Sequence, residues 1–134
     1  DLSHINTPLD KRDANSGFSC RIETSGKLLL ATFGSGAARV ALTGNTALSA
    51  NTIYHIAYSR QGTTARVFVN GVNDGEATQS GAVGSPTTTL KAGRDGFSNA
   101  RDFEGNMNWL RFTVGHHRYD ASGFAVPVVP LPVF

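Results

Sequence analysis

The sequence predicts an all-β protein, and three observations carry that assignment. No stretch of the 134 residues places Ala, Leu, Glu and Lys at the 3.6-residue spacing of an amphipathic helix. Gly, Thr, Ser, Asn and Val abound while charged residues make up only 16%, a composition that favours strands and turns. The third observation is a meander signal. Thr52–Arg60 and Thr64–Val69 are rich in β-branched and aromatic residues, are linked by Gln61-Gly62-Thr63, and lead into Asn70-Gly71. A two-residue type I′ turn needs φ > 0 at both central positions, which Asn tolerates and Gly adopts freely. That register pairs Val69 with Val72 and puts Ala65, Val67 and Val69 on the face opposite Arg66, Phe68 and Asn70. Three consecutive antiparallel strands result, and the rest of the chain is expected to be arranged around them.

The remaining elements follow in order. Residues 1–16 read as a polar, irregular lead-in, in which Ile5 or Leu9 anchors at most a short edge strand because Pro8 cannot donate to a ladder. Gly17–Thr24 alternates Phe18, Cys20 and Ile22 against Ser19, Arg21 and Glu23, the pattern of a half-buried strand. Lys27–Phe33 and Ala37–Leu42 are further strands, and Thr43–Asn51 is a polar connection with Leu48 turned inward. Within Thr52–Arg60 both faces are partly apolar, so this strand is either covered on both sides or carries a binding groove. Residues 78–88 form a loop, Thr89–Gly93 a short strand, and Arg94–Asp102 a strongly polar loop. Phe103–Val114 reads as a strand whose apolar phase shifts: Phe103 and Met107 share one parity, Leu110, Phe112 and Val114 the other. A β-bulge or sharp bend is therefore expected at Asn108-Trp109. Residues 115–134 form a Pro-rich extended tail with Pro127, Pro130 and Pro132; its apolar residues require it to lie against the domain or a partner. The chain length suits one domain over 1–134.

Charge and cysteine content narrow the function. A net charge of +2 with scattered arginines does not make a nucleic-acid surface. No signal-peptide pattern or membrane-spanning run is read in these residues. The single cysteine, Cys20, leaves no internal disulfide and is expected to be a small buried side chain.

The order of motifs resembles the laminin-G-like branch of the concanavalin A-like lectin/glucanase sandwiches. The residues that carry the resemblance are Tyr-His-Ile-Ala-Tyr-Ser-Arg (54–60), Arg-Val-Phe-Val-Asn-Gly (66–71), Leu-Lys-Ala-Gly (90–93) and Phe-Glu-Gly-Asn-Met-Asn-Trp-Leu-Arg-Phe (103–112). The ending Gly-His-His-Arg-Tyr-Asp-Ala-Ser-Gly-Phe (115–124), followed by prolines, is similar to the form of this domain common in bacteriophage virion proteins. The resemblance implies a two-sheet antiparallel jelly-roll sandwich on a virion surface or otherwise extracellular, in a tail fibre, spike or decoration protein. Expected partners are cell-surface or environmental glycans. Other virion proteins or copies of the chain are expected at the N-terminal edge and the Pro-rich tail. Two departures stand out: family members carry an aromatic-containing strand before the region matching Lys11-Arg12-Asp13, and often an aspartate where this chain has Asn108. The missing strand leaves an edge for a neighbouring chain to cover.

Candidate chemistry centres on the loop after Gly93. Glucanases of this broad fold use a Glu-x-Asp-x-x-Glu strand, since glycoside hydrolysis needs two opposed carboxylates. Here Asp102 and Glu104 share a face but Met107 replaces the second glutamate, so no catalysis is expected. Asp95, Asn99, Asp102 and Glu104 are the kind of oxygen donors Ca²⁺ takes, yet Arg94 and Arg101 lie in the same segment and offer ion pairs instead; no metal or other cofactor is expected. The residues assigned to ligand binding are Asp95, Asn99, Arg101, Asp102 and Glu104, with Tyr58 from the meander. His116-His117 would point to opposite faces of a strand and so cannot share a zinc ion. His55 is expected to be a hydrogen-bonded, half-buried histidine. Tyr54, Tyr58, Trp109 and Tyr119 are the aromatic platforms a sugar could stack on, each read first as a packing residue.

Overall fold

The structure, a computed structural model, describes residues 2–34, 37–79, 81–96 and 99–128. Strands β1 (Asn6–Arg12), β2 (Gly17–Ile22), β3 (Lys27–Gly34), β4 (Ala37–Ala47) and β8 (Lys91–Ala92) form a five-stranded sheet in the order β4-β3-β2-β1-β8. Strands β5 (Ile56–Gln61), β6 (Thr64–Val69) and β7 (Val72–Thr78) form a second, three-stranded sheet. Every pairing is antiparallel. β6 and β7 lie over β3 and β4, and the two inner faces meet in one apolar core. It is built from Leu9, Cys20, Ile22, Leu28, Leu30, Val40 and Leu42 on one side and Ala65, Val67 and Val69 on the other, with Leu48 closing one end. Burial on this scale is the main driving force for folding.

The meander has the predicted register: Val69 pairs with Val72 across Asn70-Gly71, both at positive φ (49° and 81°). β7 adds a bulge, because Val67 pairs with Gly75 but Phe68 with Asn73. The extra residue is Asp74, which the bulge turns inward. Its Oδ1 accepts hydrogen bonds from the Thr46 N–H and hydroxyl at 2.9 and 2.5 Å, and its carbonyl accepts one from Asn45 at 2.7 Å. Two more polar contacts bridge the sheets: Tyr58 Oη donates to the Arg21 carbonyl at 2.8 Å, and Thr32 Oγ1 to Gln79 Oε1 at 2.8 Å.

The lead-in 1–16 is not irregular. Residues 6–12 form β1, an interior strand between β2 and β8. Pro8 is accommodated because the register shifts between Asn6 and Leu9, so its missing N–H falls at an irregularity, while its carbonyl still accepts from Gly93 at 2.9 Å. Beside β1 the chain itself supplies β8, which pairs with Leu9 and Asp10. β4 runs on to Ala47, β5 starts only at Ile56, and β8 shrinks to two residues.

No strand forms over Phe103–Val114. Its apolar residues change parity near Trp109, so a flat strand could bury only half of them. The backbone instead bends at Trp109, at φ 56°, where the phase shift predicted a bend, and gives up ladder pairing. Phe103 still packs against the core and Phe112 stacks on Phe18 at 5.6 Å between ring centres. The tail is anchored on the domain through Tyr119 and Phe124, while Val128 is 89% exposed. Phe124 donates its N–H to Gly71 at 2.8 Å, and Phe124 and Tyr119 close over Phe68 on the outer face of the meander. A Cβ at Gly71 would lie 2.1 Å from the Phe124 carbonyl, so this approach requires glycine. The prolines at 130 and 132 lie outside the described residues.

Candidate functional site

The site begins on the outer face of β1. Asp10 and Arg12 are two residues apart, so strand periodicity points both away from the core; Ser19 and Arg21 of β2 share that face. All four are buried because the segment after β8 folds across them. Arg12 Nε donates to Asp10 Oδ2 at 3.0 Å, and Nη2 donates to both oxygens of Asp95 at 2.8 and 3.0 Å. Arg101 Nη1 stands 3.6 Å from Asp95 on its other side. The Arg12 guanidinium also lies 5.4 Å from the centre of the Phe33 ring. Burying charges costs several kcal/mol per ion unless partners compensate, and here carboxylates and guanidiniums alternate. Arg21 shows the strain of this crowding: burial, then repulsion from Arg12 and Arg101, lowers its pKa from the ordinary range. Gly96 makes the fit possible, since a Cβ there would come within 2.6 Å of Asp10 Oδ1.

Beside this ion-paired bed lies a shallow polar cleft of about 240 Å³ lined by His4, Ala100, Asp102 and Glu104. Its rim is tied to β1: Glu104 N–H donates to Asn6 Oδ1 at 2.8 Å, and Asn6 Nδ2 donates to the His4 carbonyl at 3.1 Å. His4 Nε2 sits 3.2 Å from the Asp102 carbonyl and 4.0 Å from Glu104 Oε1. Arg94 Nε lies 3.9 Å from Asp102 Oδ1, beyond hydrogen-bond reach, and that oxygen has no hydrogen-bond partner. The side chains of Asp102 and Glu104 are 46% and 61% exposed. Ionised carboxylates accept hydrogen bonds only, so the cleft presents acceptors to hydroxyl or N–H donors. Among the described residues, no group of three or more His, Cys, Asp or Glu side chains could hold a metal ion.

The assigned residues divide. Asp102 and Glu104 line the cleft. Asp95 is 1% exposed and paired with Arg12 and Arg101, so it and Arg101 belong to the ion-paired bed beside the cleft rather than to its lining. Asn99 opens the 3₁₀ turn Asn99–Arg101, and its side chain lies outside the described residues. Tyr58 belongs elsewhere: it faces the core from the other sheet, bonded to Arg21, and burial raises its pKa well above the usual phenol range. The sequence reading missed His4, Asn6, Asp10 and Arg12, whose signal was the alternation of Asp10 and Arg12 within a stretch taken as irregular. The four platforms also separate. Tyr54 accepts a hydrogen bond from Ser49 N–H at 3.1 Å and packs on the core, Tyr119 stacks on Phe124, and Trp109 is 54% exposed. His55 is half-buried as expected, edge-on to Phe124 at 5.2 Å, but its Nδ1 has no hydrogen-bond partner and burial lowers its pKa. His116 and His117 do not diverge, because they are not on a strand; their rings stack at 5.6 Å.

Comparison with known proteins places this geometry in a family. The profile of the laminin-G type described as the concanavalin A-like lectin/glucanases superfamily matches residues 3–113. No curated protein matches the sequence. Among solved structures, the chain is similar to a fragment of an S-layer domain-containing protein from Clostridium thermocellum, with 22% identity and a TM-score of 0.37. The match covers 85% of this chain and 60% of that one, so the chain spans less than two thirds of the solved fragment. Two antiparallel sheets enclosing one core, together with a profile match over most of the length, make this chain a member of the concanavalin A-like lectin/glucanase superfamily.

Proposed function

We propose that the chain is a non-catalytic adhesion domain on a bacteriophage virion surface, in a tail fibre, spike or decoration protein, and that it binds glycans at the His4–Asp102–Glu104 cleft. The superfamily description names both lectins and glucanases, and the make-up of the cleft supports the lectin reading. Its two carboxylates are two residues apart in sequence and line the same recess with no third acid among the described lining residues, an arrangement suited to accepting hydroxyl hydrogen bonds rather than to opposed acid–base chemistry. The observation that carries the reading is the network beside the cleft, which ties Asp95 to Arg12 and the Glu104 backbone to Asn6 before any ligand arrives and so lowers the ordering cost of binding. A glycan array probed with the whole chain, followed by titration calorimetry on the hits, tests it. Binding that falls at least tenfold in Asp102→Ala and Glu104→Ala supports the reading, and a blank array at micromolar sensitivity overturns it.

A second reading, a structural fibre or decoration subunit held by protein contacts with no sugar ligand, is favoured by one observation. Met107, Trp109, Leu110, Phe112 and Val114 stand 39–80% exposed in consecutive turns of the chain. A solution surface of that kind is unusual for an isolated domain.

A further inference from the structure

The three-stranded sheet is too narrow to cover the five-stranded one. β6 and β7 lie over β3 and β4, Tyr58 of β5 reaches β2, and the segment 103–114 adds Phe103 to the core and Phe112 against Phe18 of β2 without joining either sheet. Because the phase of the segment changes at Trp109, two sets of apolar residues cannot face inward together. Members of both sets are displayed: Trp109 and Leu110 are each 54% exposed and Val114 80%, with Met107 and Phe112 partly exposed beside them.

From this surface we infer that the segment 107–114 is the contact through which two copies of the chain associate about a two-fold axis. Area argues for a protein partner. With side chains of roughly 150–250 Å² for the aromatic members, the row displays on the order of 500 Å² of apolar surface. A stable interface takes about 800 Å² from each partner, a little over half of it non-polar, so the row alone meets the apolar share of one side. Chemistry argues for a second copy. Arg111 is the only charged residue between Met107 and Val114, so two identical rows meet with little like-charge opposition. A two-fold approach with Leu110 on the axis sets Leu110 against the partner's Leu110. The contact uses none of the cleft residues, so it stands apart from the glycan reading.

Sedimentation equilibrium of the whole chain from about 1 to 100 µM tests the inference. The expected result is twice the chain mass at the upper concentrations, with Leu110→Asp and Val114→Asp each weakening dimerisation at least a hundredfold. Both side chains are more than half exposed, so the variants should retain the wild-type circular dichroism spectrum and Tm. Should either fail to fold, Trp109→Ser and Met107→Ser measured in its place carry the same expectation. A wild-type chain that stays monomeric at 100 µM overturns the inference, and so does a dimer that survives the folded variants. A monomer that still binds glycans overturns it while leaving the glycan reading intact.

Discussion

Replacing Arg12 by Met removes the one side chain that contacts both buried carboxylates of the outer face. Asp10 and Asp95 have fully buried side chains, and Arg12 exposes 7% of its own. After the substitution Asp95 keeps Arg101 at 3.6 Å, but Asp10 loses the Arg12 Nε bond to Oδ2, and its Oδ1 has no hydrogen-bond partner to begin with. Removing one partner of a buried pair costs about 3–5 kcal/mol because a charge is left uncompensated. The retained Arg101 contact places Arg12→Met toward the lower part of that range, about 3 kcal/mol, a large share of the ~5–15 kcal/mol that holds a typical domain. Urea unfolding followed by tryptophan fluorescence measures it, and with an m-value of about 2 kcal/mol/M the midpoint falls by roughly 1.5 M. The triple variant Arg12→Met/Asp10→Asn/Asp95→Asn should recover more than half of the loss, since neutral amides need no counter-charge. A cost below about 1 kcal/mol for the single variant, or a triple variant no better than the single one, would refute the reasoning.

Three other outcomes follow from the packing and the titrating groups. Phe68, fully buried beneath Tyr119 and Phe124, should lose about 3–5 kcal/mol as Phe68→Ala, while half-buried Phe124→Ala loses about half as much; calorimetric unfolding separates them. Gly44→Ala would set a methyl 2.2 Å from Asp74 Oδ2 and should cost about 1–3 kcal/mol by overpacking, and most of that increment should vanish when Gly44→Ala is added to Asp74→Ala and compared with Asp74→Ala alone in the same unfolding assay. Burial holds the His55 pKa below its ordinary 6.5, so the unfolded chain binds the extra proton first. Stability contributed by neutral His55 is then complete above pH 6.5 and declines as pH falls from 6.5 toward the folded pKa; the slope over that window should flatten in His55→Phe, and an imidazole NMR titration should read the lowered value directly.

The meander was legible because its signal is local: Asn70-Gly71 and a clean two-residue alternation fix both turn and register within twenty residues. β1 was not, since Pro8 and the polar side chains of Asn6, Asp10 and Arg12 argue against a strand locally. What makes it one is tertiary: a register shift absorbs the proline, and Asp95, 83 residues beyond Arg12, supplies the counter-charge. The segment 103–114 failed in the opposite direction. Its residues have strand propensity, and its phase shift correctly marked Trp109 as a bend, but propensity cannot show whether a neighbouring strand is there to pair with. The candidate site divides along the same line. Asp102 and Glu104 were visible as a polar loop, whereas His4 and Asn6 join them only through the fold.

An apolar core holds two sheets together without saying where one should sit on the other, because burial is non-directional and two greasy faces can slide. Three polar contacts in this sandwich remove that freedom: Tyr58 to the Arg21 carbonyl, Thr32 to Gln79, and the bulged Asp74 to Thr46. Each joins a different pair of segments, and three fixed points define the placement of one plane on another. In mechanical terms the core supplies adhesion and these contacts supply resistance to shear. Stretching the domain under load should therefore yield first at whichever of the three is severed, with the hydrophobic area almost unchanged at the moment of slip.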